Sequence, residues 1–133
     1  MKYVDASAVL RVLFCEDGPT VPLLAGDRAL SSQLLEVEVF RAVDRERLLG
    51  HMDDGQTAIK RKELLDLLGF LDVVPIDEKV IQRAKSSFAV NVRALDAIHV
   101  ATAEVLVSEG GEPLEFWTHD NRQATAALSR GLN

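Results

Sequence analysis

The sequence is poor in several things that would have fixed its class at once. It has one cysteine, Cys15, in 133 residues, so no internal disulfide is possible and a reducing compartment suits it. No apolar run approaches the ~18–20 residues of a membrane span. The N-terminus lacks the basic-then-apolar layout of a secretory signal. A cytoplasmic protein with no membrane association is therefore expected. Positive charge is not in excess: 15 Lys and Arg face 21 Asp and Glu, a formal net charge of −6, which does not advertise a nucleic-acid partner. A cluster of metal-binding carboxylates would itself add to such an acidic total, so the charge balance leaves that class open. No cysteine–histidine cluster of the structural-zinc kind is present, nor any internal repeat, low-complexity tract or long linker. What remains is 47% hydrophobic and 27% charged, a composition and length that suit one globular domain over residues 1–133.

What the chain does have is regular alternation. "KYVD" is a short β-type run that leads into "ASAVLRVLFCE", helical by its spacing at Val9, Val12 and Leu13. Cys15 falls in that helix, where a small core residue is expected rather than a nucleophile. The strand "ALSS" precedes a helix from about Ser32 to Leu49, stopped by Gly50, and a further helix spans about Gln56 to Leu68 before Gly69. Then come the strand "DVVPI", a helix beginning near Asp77, a helix from about Leu95 to Val107, the strand "EFWTH" and a last helix, "DNRQATAALSR". Strands alternating with helices argue for an α/β sandwich around a mainly parallel sheet. The sequence stops at Asn133, where one more short strand is expected, so that edge is read as abbreviated.

In an open parallel sheet, ligands bind beyond the carboxyl ends of the strands. Asp5, Asp77 and Asp120 stand at such ends, and Asp96 lies in the first turn of its helix after "NVR". Helix capping accounts for any one of them alone, because aspartate is a favoured N-cap and the helix dipole stabilises its charge. Glu38 is different. Its helical face carries Leu34, Leu35, Ala42 and Leu49, and a glutamate in an apolar stripe needs a partner or a metal. Arg45 shares that face and offers a salt bridge as the alternative. Carboxylates without cysteine or histidine suit a hard ion such as Mg²⁺ or Mn²⁺, which assists phosphodiester chemistry.

The histidines and basic residues have plain readings. His99, one turn after Asp96, is expected to be a core residue bonded to a neighbouring carboxylate, since hard ions prefer oxygen. His119 sits at the mouth of the acidic cluster, either as a general acid or as a bystander, and His51 has no evident role. Arg41, Arg45 and Arg47, with Lys60, Arg61 and Lys62, read either as solvated helix faces or as a phosphate-binding rim. Phe116 and Trp117 are adjacent strand residues and should enter opposite faces as core. The apolar helix faces between Gly18 and Leu68 read as internal core or as a docking surface.

Four stretches, "YVDASAVLRVLF", "LLEVEVFRA", "LRALDAIHVATA" and "FWTHDNRQATAA", resemble in order and spacing the motifs of PIN-domain ribonucleases, most of all the VapC-type toxins of toxin–antitoxin pairs. The resemblance spans nearly the whole chain. It implies a three-layer α/β/α sandwich, PIN-like in topology. It makes Asp5, Glu38, Asp96 and Asp120 an acidic quartet holding Mg²⁺ or Mn²⁺, with Ser7 and Thr118 as supporting hydroxyls. It further implies hydrolysis of structured RNA of the tRNA or rRNA class, a homodimer, and a cognate VapB-type antitoxin. Two other classes compete. A phosphoacceptor receiver-type signalling domain would need an acidic pair near the first strand and a lysine after the last; here "YVDASA" supplies one acid and no lysine follows "EFWTHD". A catalytically silent PIN-like binding module would not need the quartet.

Overall fold

The computed structural model describes residues 1–23, 26 and 28–133. Its elements are β1 (Lys2–Val4), α1 (Ala6–Leu13), β2 (Ala29–Ser32), α2 (Leu34–Leu48), α3 (Asp54–Leu68), β3 (Asp72–Val74), α4 (Glu78–Ala84), α5 (Ala94–Gly110), β4 (Glu115–Trp117) and α6 (Asn121–Ser129). The four strands form one sheet in the order β3-β2-β1-β4, and every pair is parallel. The chain steps outward from β1 to β2 to β3 and then returns to the far side of β1 as β4. The order therefore reverses between β1 and β4, the place where such sheets open a crevice beyond their strand ends.

Alternation along β1 divides the core in two. Val4 packs with Ala8, Val9 and Leu13 of α1, Leu35, Val39 and Val43 of α2, and Leu64 of α3. Its neighbour Tyr3 points to the other face and packs with Val100 and Ala103 of α5 and Ala126 and Ala127 of α6. Val80 of α4 completes that second layer against Ala101 and Val105 of α5. Helices thus cover both faces, as an all-parallel sheet requires, in the three-layer architecture expected. Phe116 and Trp117 follow the same parity, Phe116 joining the Tyr3 core and Trp117 the Val4 core.

Local chemistry sets the helix ends. Asp53 accepts from the Gln56 amide while the Gln56 side chain accepts from the Asp53 N–H, a reciprocal box that starts α3 two residues earlier than its apolar pattern suggests. Ser32 belongs to β2, and its hydroxyl accepts from Leu34 N–H at 3.0 Å, so α2 starts after it. α5 runs past Val107 to Gly110 and ends at Gly111, whose φ of 65° is left-handed and free for glycine alone. α1 stops at Leu13. Cys15 lies beyond it, exposed and itself left-handed at φ 51°, so it is a turn residue and not the core residue expected. No strand follows α6 among the described residues. The Phe116 N–H donates to the Asn133 carbonyl, a single ladder bond where the abbreviated edge was expected.

Leu64 is fully buried while its neighbour Leu65 is 59% exposed, which makes the pair an internal control. Leu64→Ala should cost about 2–5 kcal/mol in urea unfolding. Leu65→Ala should stay within about 0.5 kcal/mol of the wild type.

Candidate active site

The parallel register aligns Val4 with Trp117, so the residues after β1 and β4 meet across the switch point. Asp5 N–H donates to the Trp117 carbonyl at 3.1 Å and brings the Asp5 side chain over the end of β4. That carboxylate is buried. Oδ1 accepts from the Ser7 hydroxyl at 2.7 Å and the Ala8 N–H at 3.0 Å, and Oδ2 accepts from the Thr118 hydroxyl at 2.8 Å. Three donors fill three of the roughly four acceptor sites of a carboxylate, leaving one on Oδ2. Burial still pushes the Asp5 carboxyl above its ordinary range, against the pull of Ser7, Ala8, Thr118 and His99.

Ser7 and Thr118 bind this junction together. The Ser7 hydroxyl accepts from His119 N–H at 2.7 Å and lies 3.4 Å from that of Thr118. Thr118 accepts from Asp120 N–H at 3.0 Å. Its one proton is shared between Asp5 and the side-chain oxygen of Gln123, 3.0 Å away. Gln123 is fully buried, and its importance was missed from sequence. The spacing Asp120-x-x-Gln123 is a capping-box pattern that could have drawn attention to it, although here the amide turns to Thr118 instead.

Three of the four aspartates do cap helices. Asp5 caps α1, Asp77 caps α4 through Val80 N–H, and Asp120 caps α6 through the Arg122 and Gln123 amides. Capping and clustering are thus compatible for Asp5 and Asp120. Asp77 stands beyond edge strand β3, two strands from β1, and its charge is not among those acting on Asp5 or Asp96. Asp96 caps nothing: Arg93 is the N-cap of α5 and Asp96 sits in the first turn, half-buried. Desolvation raises its carboxyl above the ordinary value. The charges of Asp120 and Glu38 raise it further, opposed by Arg93 and His99. The charges of Asp120 and Glu38 therefore both reach Asp96.

Glu38 does not pair with Arg45. Its Oε2 lies 2.6 Å from His99 Nε2, and the other ring nitrogen of His99 lies 2.8 Å from the Tyr3 hydroxyl. His99 is thus the buried neighbour of a carboxylate that the sequence suggested, whereas nothing in the pattern had signalled Tyr3. Burial pushes the Tyr3 phenol well above its ordinary value, so it keeps its proton. His119 contributes its backbone N–H, and its Nε2 is buried without a partner among the described residues. His51 pairs with Glu46 at the surface.

Among the described residues, no group of three or more His, Cys, Asp or Glu side chains is gathered closely enough to hold an ion unaided. The donor chemistry nonetheless fits a hard divalent cation: every candidate donor is a carboxylate oxygen, and desolvation with the charges of Asp120 and Glu38 raises Asp96 in a way that a cation would relieve. An open groove of ≈ 590 Å³ runs from Glu38 past Leu10, Phe14, Arg41 and Arg45. Arg41 and Arg47 both pair with Asp44, Lys60 with Glu63 and Lys62 with Asp66, while Arg61 lies over the Phe40 ring.

Comparison with known proteins gives the family of the chain. A family model described as PIN domain matches residues 2–127. The chain is 32% identical over 133 residues to Ribonuclease VapC46 of Mycobacterium tuberculosis (strain ATCC 25618 / H37Rv), covering 98% of this chain and 92% of that protein. It is 35% identical over 139 residues to Ribonuclease VapC47 of Mycobacterium tuberculosis (strain CDC 1551 / Oshkosh), covering 99% and 93%. With a family model over residues 2–127 and relatives matched along nearly their whole length, the chain belongs to the PIN-domain family and groups with its VapC-type ribonucleases.

Proposed function

We propose that the protein is an Mg²⁺- or Mn²⁺-dependent endoribonuclease that hydrolyses phosphodiester bonds in structured RNA of the tRNA or rRNA class. In this reading it is the toxin of a toxin–antitoxin pair, acting in the cytoplasm as one nuclease domain. The observation that carries the reading is that the charges of Asp120 and Glu38 both act on Asp96 beyond the strand ends, in a VapC-family chain.

In the proposed mechanism, Asp5, Asp96, Asp120 and Glu38 would hold the cation. Bound there, the ion would supply Lewis acidity for activating water and positive charge for the phosphate. Ser7, Ala8 and Thr118 hold the Asp5 carboxyl in place by hydrogen bonds, so its free lone pair faces one direction. Glu38, held on one oxygen by His99, orients the attacking water or joins the cation's donors. Arg41 and Arg45 line the groove beside Glu38, where a backbone phosphate flanking the scissile bond would rest.

The same family reading brings a homodimer and a VapB-type antitoxin. It is supported by exposed Leu48, Leu49, Ile59, Leu65 and Phe70, and by an apolar groove of ≈ 500 Å³ along Val12, Val21, Pro22, Leu23, Leu67 and Phe70. Among the described residues no helix is long and apolar enough to cross a membrane. A second reading, a catalytically silent binding module, is favoured by one observation, the lack of a closely gathered ligand group among the described residues. Calorimetry with Mn²⁺ separates the two, since the silent module takes up none at millimolar concentration.

Asp5→Asn and Asp96→Asn should each lower magnesium-dependent RNA cleavage by more than the ~10–100-fold typical of losing an outer-shell partner. Circular dichroism should show the fold intact, and chelation of the wild type should have the same effect. Full activity in either variant would rule out this site.

Stability should move the other way. A carboxyl held above its ordinary value in the folded chain gives up stability as pH rises from about 4 through that raised value, because the unfolded chain ionises first. The Asp96→Asn variant carries an amide that cannot ionise, so in chelator at pH 7 it should melt above the wild type. The two curves should converge as pH falls toward about 4, the ordinary carboxylate value. Equal melting temperatures at pH 7 would contradict this account of Asp96.

A further inference from the structure

Tyr3, His99 and Glu38 form a chain of hydrogen bonds that, for a neutral imidazole, has one permitted direction. Its inner end is the Ser32 backbone N–H, 3.1 Å from the Tyr3 hydroxyl oxygen. An amide N–H can only donate, so the Tyr3 oxygen accepts there and its own proton points elsewhere. His99 Nδ1, at 2.8 Å, takes it. A neutral imidazole that accepts on Nδ1 carries its proton on Nε2, which lies 2.6 Å from Glu38 Oε2. The outer end is a carboxylate, which can only accept. Run in reverse, the chain fails at its outer end, where a bare Nε2 would face a carboxylate that has no proton to give.

The parts are rigid and dry. Tyr3 and His99 are 0% and 1% exposed. The Tyr3 ring is stacked on Phe116 with centroids 5.1 Å apart and meets His99 edge-on at 5.8 Å. Thr102 is the competing acceptor for the phenol proton, its own proton being given to the Ile98 carbonyl at 2.7 Å. Imidazole nitrogen is the stronger base of the two, and for a neutral ring only that choice leaves Glu38 with a donor. Glu38 Oε1 makes no hydrogen bond among the described residues, and Glu38 lines the groove that opens on the site.

We infer that Tyr3 and His99 are positioning residues for Glu38: the directed chain from Ser32 fixes the Nε2–H tautomer of His99, pins Glu38 Oε2, and leaves Oε1 as the oxygen offered to a divalent cation. This rests on the reading of Glu38 as part of a cation site. It assigns a task to a tyrosine three elements away in sequence from the carboxylate it controls. The phenol acts through the imidazole, and what it transmits is the choice of tautomer.

Two measurements test it. Nitrogen NMR of ¹⁵N-histidine-labelled, metal-free protein, with His99 assigned by loss of its signals in His99→Gln, should show a protonated Nε2 and an unprotonated Nδ1. A proton on Nδ1 overturns the inference whatever the metal does. Calorimetry with Mn²⁺ alone should show that Tyr3→Phe, which keeps the stacked ring, weakens binding by roughly tenfold. In a Glu38→Gln background the same change should cost nothing further. Unchanged affinity in Tyr3→Phe, or an equal loss in both backgrounds, overturns the chain as the route of the effect. The underlying reading fails separately, when wild type and Asp96→Asn take up no Mn²⁺ alike, and the nitrogen shifts still decide the tautomer.

Discussion

A buried carboxylate must be surrounded by donors, and the Asp5 side chain imposes that requirement on everything near it. It is supplied from two places far apart in sequence: Ser7 and the Ala8 amide at the start of α1, and Thr118 at the end of β4. Both supplies exist only if β4 lies directly beside β1 with Val4 opposite Trp117. The strand order, the capping of α1 and the placing of Asp120 on α6 all follow from one junction. Because Ser7 also accepts from His119 N–H and Thr118 from Asp120 N–H, the loop after β4 is tied to the same carboxylate.

Around that junction the fold gathers charge that would be costly in an ordinary core. Asp96 is lifted by burial and by Asp120 and Glu38, and Arg93 offsets this only in part. The cost is tolerable because the acids sit at a crevice edge, with Asp120 exposed and Asp96 half-buried. The apolar layers carry the stability. Tyr3 and Val4, adjacent in β1, feed the two cores on opposite faces, so a three-residue strand anchors both helical layers. Tyr3 then has a second task through its hydroxyl, which reaches His99 and, beyond it, Glu38.

Much of this was legible along the chain, residue by residue. The alternation of short apolar runs with helical spacing foretold every strand and helix, and the aspartates at strand ends marked where the crevice would open. Glu38 was legible as an anomaly, a charge in an apolar stripe, but its partner was not. Arg45 shares its helix face, whereas His99 is 61 residues away and reaches it only because α5 packs across the sheet. Asp77 looked equivalent to Asp5 and Asp120 because all three are N-caps at strand ends. Strand order separates them, and no local pattern encodes strand order. Cys15 was misplaced because apolar spacing continues past Leu13 while the backbone has already turned left-handed.

Local chemistry, then, was determined by the sequence alone: which segments bury one face, which residues cap helices, and that hard oxygen donors outnumber any soft ones. Those properties depend on neighbours within a turn or a strand, so they can be read without a fold. The tertiary structure decided which of those acids act on Asp96, which oxygen of Glu38 is held, and that a tyrosine near the N-terminus reaches a histidine 96 residues on. Charge repulsion and hydrogen-bond direction act over a few ångströms of space, and only the packing of β1, β4, α2 and α5 makes those distances short.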